Sequence, residues 1–153
     1  MDALPRAAAL LMVEPETGAN TERLLAAWRH SGRPVVHVQH LSRTSRTPHK
    51  SDPGGPDFAG AVRPRAGEVV VQTETDSAFF DTGLAPLLRD RRIATLVVTG
   101  DLGSESVAAT LTMADQLGFL TYLVADGATD SERAGLGGDG TRLAVTDEVL
   151  SAL

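Results

Sequence analysis

The feature that most constrains this chain is its alternation of short apolar runs with stretches of helical spacing. Ala8–Val13 (AALLMV), Pro34–His40 (PVVHVQH), Glu68–Gln72, Ala94–Thr99 (ATLVVT) and Phe119–Ala125 (FLTYLVA) are runs rich in valine, leucine and alanine. Runs of this length without strict polar alternation fit strands buried on both faces. Between them, Thr21–Ser31 carries Leu24, Leu25 and Trp28 at helical spacing, with Asn20 as the expected N-cap and Gly32 just past its end. Leu84–Arg91 reads as a short helix, and Ser104–Leu117 as a longer one ended by Gly118. Arg142–Thr146 reads as a weaker sixth strand before a short terminal helix. Strand–helix alternation of this kind predicts one α/β domain with a doubly wound parallel sheet and helices on both faces. Residues 41–67 carry Pro, Gly, Ser and Thr without periodicity and are expected to form a long loop. No internal repeat or second domain is visible.

Composition narrows the function classes. At 153 residues the chain can bury a substantial core. Its net charge of −6 argues against nucleic acid or an anionic membrane surface as the main partner. No apolar run approaches the roughly 20 residues needed to span a bilayer, and Met1–Val13 reads better as a first strand than as a leader, so a cytoplasmic location is the default expectation. The chain has no cysteine, which excludes disulfides and thiolate–metal sites. Its only lysine is Lys50, inside the long loop.

Open parallel sheets bind ligands beyond the carboxyl ends of their strands. The positions to watch are therefore Glu14–Thr17, Thr73–Phe79, Gly100–Ser106 and Asp126. Glu14, Glu74, Asp76, Asp101 and Glu105 are expected around one rim, where clustering raises carboxyl pKa values and enables acid–base work or attracts a cation. The simpler account is that loops and helix starts favour Asp and Glu, most of them facing water. Gly135–Gly140 matches a G-x-G-x-x-G pattern but does not lie between a strand and a helix, so it reads as a turn rather than a dinucleotide loop. His37 and His40 lie on the second strand and His30 ends the first helix; a hydrogen-bonded residue at a strand end is the simpler account of His40 than a metal ligand. Arg43, Arg46, His49 and Lys50 form a modest basic stretch, read first as solvated loop and second as a contact with a neighbouring subunit. Phe79 and Phe80 leave open which ring walls a pocket and which joins the core.

Several segments in order carry a resemblance: LLAAWRHSGRPVVHVQH, SAFFDTGL, LLRDRRIATLVVTG and the helix ending in ADQLGF. Together they resemble the isochorismatase-like cysteine hydrolases, a family that includes isochorismatases, nicotinamidases and N-carbamoylsarcosine amidases. The likeness runs from about Ala8 to Ala125. It implies a six-stranded sheet of order 3-2-1-4-5-6. It also implies a triad of an aspartate ending strand one, a lysine shortly before SAF, and a cysteine opening the helix after strand four. In this chain those places fall on Glu14, on Thr73 (or Gln72 if the spacing slips by one) and on Ser106. The resemblance further implies an oxyanion hole from backbone N–H groups at the turn into that helix, often with a cis peptide, which would be Asp101–Leu102.

A serine hydroxyl is far less acidic than a thiol and needs a well-placed general base. Glu14 is a candidate base but is one methylene longer than aspartate. As a plain structural residue, Ser106 is a small polar group near a helix N-terminus, where serine is common. Two readings stay open. In one, the chain binds a small carbonyl- or carboxylate-containing metabolite without hydrolysing it. In the other, it is a serine-based or non-covalent acid–base enzyme. The candidate catalytic residues are Glu14, Ser106 and Asp101, and the candidate ligand-binding residues are Thr73, Asp76, Phe79, Leu102 and Glu105. No metal or other cofactor is expected. The expected partners are a small-molecule ligand and further copies of the chain as a homo-oligomer, with no nucleic acid and no membrane.

Overall fold

The computed structural model describes residues 1–13, 19–41, 62–100, 104–126 and 141–153. Six strands form one parallel sheet: β1 (Ala9–Met12), β2 (Val35–His40), β3 (Val69–Thr73), β4 (Thr95–Thr99), β5 (Leu120–Val124) and β6 (Thr141–Ala144). Their order is β3-β2-β1-β4-β5-β6, as the resemblance implied. The helices among the described residues are α1 (Ala19–Ser31), α2 (Leu84–Asp90), α3 (Glu105–Gln116) and α4 (Thr146–Ser151).

Each helix packs on the face its apolar stripe dictates. One core joins Leu11, Val36, Val38, Val71, Leu96 and Val98 to Leu84 and Leu88 of α2 and Val107 and Leu111 of α3. The other joins Leu10, Met12, Val35, Val97 and Tyr122 to Leu24, Leu25 and Trp28 of α1 and Val149 of α4. Alternate strand residues thus feed opposite cores, which is why β1 and β4 read as continuous apolar runs. Trp28 is fully buried and its indole N–H donates to the Ala8 carbonyl at 3.0 Å. Truncating it to alanine removes about 3–5 kcal/mol of packing.

Several element ends differ from the sequence reading. Asn20 lies inside α1 instead of capping it, and its Oδ1 accepts from Arg23 Nη1 at 3.0 Å. β3 runs one residue later than expected, so Thr73 is its last residue. β6 is shorter: Thr146 opens α4, and the Asp126 carboxylate accepts from both its backbone N–H and its hydroxyl. At the end of α3, Gly118 takes φ +89° and Phe119 N bonds to Ala114 O at 3.0 Å, a left-handed helix stop that suits glycine. The expected loop over 41–67 lies mostly outside the described residues. Val62, near its far end, is buried against the α1 core.

Candidate active site

The growth direction of the sheet reverses between β1 and β4, and their carboxyl ends leave side by side. Met12 pairs with Thr99, and Val13 N donates to Thr99 O at 3.0 Å. Glu14 follows Val13 in sequence; with Asp101 and Leu102 it lies outside the described residues, as does the expected cis Asp101–Leu102 bond. Gly100, directly after β4, is buried.

The chain re-enters description at Ser104, which is the N-cap of α3. Its side-chain oxygen accepts from Ser106 N at 3.1 Å. That bond satisfies one of the four amides left without intrahelical partners in a first helical turn. Ser106 is 9% exposed, and its hydroxyl has no hydrogen-bond partner among the described residues. Glu105 beside it is exposed.

One turn further along the same helix face stands Thr110, fully buried. Its Oγ1 accepts from Ala78 N at 3.1 Å, which ties α3 to the turn after β3. That turn is organised by Thr73. The Thr73 hydroxyl donates to Ser77 O at 2.9 Å and accepts from Thr75 N at 3.2 Å. Thr75 Oγ1 adds a second bond to Ser77 O at 3.2 Å, and Ser77 Oγ accepts from Phe79 N at 3.1 Å. These are local hydroxyl-to-backbone bonds of the kind that set turns. Thr73 is 2% exposed, and its hydrogen-bonding capacity goes into the turn.

Gln72 goes to the other face of the pleat, where its amide donates to Gln39 Oε1 at 2.9 Å. Phe79 joins the core: it is 5% exposed and stacks on Phe119 with centroids 5.6 Å apart. Phe80 is 55% exposed, so the two rings divide between core and surface. Asp76 is exposed, and its carbonyl faces His40 Nε2 at 3.2 Å. His40 is paired with Thr73 across β2 and β3, which brings it to the same edge. Among the described residues, no group of three His, Cys, Asp or Glu side chains is placed to hold a metal ion.

A second polar cluster went unnoticed in the sequence. On the α1 face, the Glu68 carboxylate accepts from Arg29 Nε at 2.7 Å, Arg29 Nη2 at 2.8 Å, His37 Nε2 at 2.8 Å and Arg65 N at 2.9 Å. Burial alone would raise the Glu68 pKa, but the Arg29 guanidinium, the Arg65 N–H and His37 together hold it at about 2. Burial lowers the His37 pKa, against the opposing pull of Glu68. The only advance signal was local: two polar residues, His37 and Gln39, alternate with valines in one strand.

Comparison with known proteins fits this architecture. The isochorismatase domain family matches residues 6–137. An uncharacterised isochorismatase-family protein of Bacillus subtilis, YrdC, is 36% identical over 110 residues, which is 70% of this chain and 57% of the relative. Maleamate amidohydrolase of Pseudomonas putida is 45% identical over 67 residues, 44% of this chain and 32% of that enzyme. The chain thus aligns with little more than half the length of these relatives at most. A solved isochorismatase-family structure from Chromobacterium violaceum superimposes with a TM-score of 0.83 at 30% identity, covering 99% of this chain and 96% of that one. On this evidence, sheet order and sequence together, the chain belongs to the isochorismatase family.

Proposed function

We propose that this protein binds a small carbonyl- or carboxylate-bearing molecule at the carboxyl edge of its sheet, beside Ser106, and does not carry out cysteine-dependent hydrolysis. The observation that carries the reading is the absence of any cysteine in a chain of this family. The Thr73 side chain supports it. It stands where the resemblance places a lysine, unless the spacing slips by one to Gln72, which is equally uncharged; its hydroxyl is committed to its own turn. What remains is the opening turn of α3, whose backbone amides and positive dipole end suit an oxygen-bearing ligand.

A second reading rests on Ser106, whose hydroxyl has no partner among the described residues. In that reading Ser106 acts as nucleophile with Glu14 as its base, or Glu14 and Asp101 carry out acid–base work without a covalent intermediate.

A thermal-shift screen of small carboxylates and amides, paired with hydrolysis assays on maleamate and nicotinamide, separates the readings. Binding predicts ligands that raise Tm with a logarithmic dependence on concentration, and no turnover. Turnover abolished by Ser106→Ala would overturn the binding reading in favour of the serine enzyme.

A further inference from the structure

Arginines gather at the amino edge of the sheet, opposite the edge that holds Ser106. Four neighbouring strands, β3-β2-β1-β4, each enter the sheet behind arginine. Arg63 and Arg65 precede β3, Arg33 precedes β2, Arg6 precedes β1, and Arg91 and Arg92 precede β4. Arg89, in the last turn of α2, joins them and donates to Leu117 O at 2.9 Å, ahead of β5. Bonds tie the row together. Arg33 Nε donates to Pro5 O at 3.2 Å, beside Arg6, and Arg29 Nη2 donates to Arg63 O at 2.9 Å. At about 4.8 Å between strands, the four entries span roughly 14 Å.

This charge is not cancelled locally. Arg33 and Arg89 donate to backbone carbonyls, and none of the seven forms an ion pair among the described residues. Arg33 is half-buried and the other six are exposed. The described acidic residues at this edge are Asp2, Asp90 and Asp115, together with Glu68, which Arg29 holds. The stretches that lead into β3 and β6 from outside the described residues, 42–61 and 127–140, are nearly balanced, with four basic and five acidic residues. The row therefore gathers seven of the chain's 14 lysines and arginines beside three of its 20 aspartates and glutamates, which leaves seven basic against 17 acidic residues elsewhere. Helix dipoles favour Arg89 and Arg91 at the end of α2, but Arg6, Arg63 and Arg65 end no helix.

Arg92 adds an independent sign. The helices α1, α2 and α3 stop in the same way, with the N–H of the residue after the stop returning to a carbonyl five residues back. Gly32 and Gly118 supply the left-handed residue for α1 and α3, whereas α2 uses Arg92 at φ +58°. An arginine stands in a conformation that suits glycine, and its guanidinium adds to the row.

A guanidinium fork matches carboxylate and phosphate alike. A long nucleic acid would run past this row, about 14 Å wide, onto the acidic remainder of the molecule. The large aromatic rings near this edge, Trp28 and Phe119, are buried and cannot stack on a base. A short acidic peptide fits, since the row has the length of about four residues of extended chain at roughly 3.3 Å each.

We propose that the amino edge is a docking surface for a short acidic segment of a partner protein, its carboxylates pairing with Arg6, Arg63, Arg65, Arg91 and Arg92. The surface shares no residue with the carboxyl-edge reading and stands apart from it.

The test is fluorescence anisotropy with labelled hexaglutamate, hexaglutamine and hexauridylate at low ionic strength. Wild-type protein binds hexaglutamate, more tightly than hexauridylate and with an affinity that falls as salt is added, and does not bind hexaglutamine. Arg65→Gln weakens hexaglutamate binding about twofold to fivefold, the scale of one exposed ion pair. Arg23→Gln makes the same change in net charge away from this edge, on an arginine paired with Asp147, and leaves binding unchanged. Arg92→Gly weakens binding while keeping or raising Tm, which separates the role of its charge from any part in holding the fold. Absence of hexaglutamate binding, or binding undiminished in the combined Arg6→Gln, Arg65→Gln, Arg91→Gln and Arg92→Gly protein, overturns the proposal. Equal losses from Arg65→Gln and Arg23→Gln overturn it in favour of a net-charge effect, and tighter binding of hexauridylate overturns it in favour of a nucleic-acid backbone.

Discussion

The β2–β3 half of the sheet carries a polar cluster on each face, and the two are built in opposite ways. On the α1 face, the buried His37 joins the half-buried Arg29 and Glu68 in a charged, multiply bonded group. On the α2–α3 face, Thr73, Ser77 and Thr110 form a network of hydroxyls bonded to backbone, with no charged side chain in it. Buried charge is costly unless every lone pair is met, and here four donors converge on one carboxylate. Neutral hydroxyls carry a far smaller desolvation cost, so their bonds can hold in shape the turn that contacts α3. Among the described residues, this charged cluster lies on the face away from Ser106, where it fastens the approach to β3 onto α1 and β2. Among the described residues, the turn network beside Ser106 holds no charged side chain, and Glu74, Asp76 and Glu105 are exposed around it.

The largest expected effect follows from breaking the charged cluster. Glu68→Gln leaves the half-buried Arg29 guanidinium without its counter-charge and should cost about 2 kcal/mol in urea unfolding, less than a fully buried pair because solvent screens part of the charge. Replacing Glu68 and Arg29 together with leucine and methionine should recover most of that loss, because apolar groups of similar size carry no desolvation penalty. A Glu68→Gln variant as stable as the parent would erase the contrast between the two faces.

Acid should weaken the same cluster in two stages. The folded-state pKa of Glu68 is about 2 against the usual 4.5, so its contribution is present above pH 4.5 and is lost as pH falls from 4.5 toward 2. The folded-state pKa of His37 lies below the usual 6.5, so protons favour the unfolded chain, and stability begins to decline as pH falls below 6.5. Unfolding free energy measured across this range should therefore fall continuously with acid. In His37→Phe the upper part of the decline should vanish while the lower part remains. A decline above pH 4.5 that persists unchanged in that variant would assign it to another group.

Much of the fold was legible because the central strands β1 and β4 are fully buried and β2 and β5 nearly so. β1, β4 and β5 announce themselves as apolar runs, and Gly32 and Gly118 mark helix ends by the positive φ that they adopt. The element ends were less legible because long-range bonds decide them. Asn20 reads as a cap by residue type, yet it lies within α1. Thr146 reads as strand, yet Asp126, twenty residues earlier, draws it into the start of α4. Of the candidate site residues, the structure places Ser106 at the opening of α3 and Thr73 at the carboxyl end of β3, linked through Ala78 and Thr110. The commitment of the Thr73 hydroxyl to its own turn was hidden, since it depends on how residues 74–77 fold back. The Arg29–Glu68 pair spans 39 residues, and no local pattern reports it. His40 could be read as a bonded strand-end residue, but its partner, the Asp76 backbone carbonyl, is visible only once β2 and β3 are paired.

The smallest effects test the neutral face, and they separate a residue that holds the site from one that is offered to it. Thr73→Val keeps the size of the side chain but removes the donor to Ser77 O and the acceptor for Thr75 N. The Thr75 hydroxyl still reaches Ser77 O at 3.2 Å, so one of the two groups keeps a partner. The cost should therefore be about 1 kcal/mol, near one net hydrogen bond rather than two. Ser106→Ala removes a hydroxyl with no partner among the described residues, at a helix position where alanine is favoured. It should change stability by less than about 0.5 kcal/mol. Side-by-side denaturant titrations of the two variants read the difference directly. If Ser106→Ala proves the more damaging, the Ser106 hydroxyl is part of the scaffold, and the nucleophile role assigned to it loses its basis.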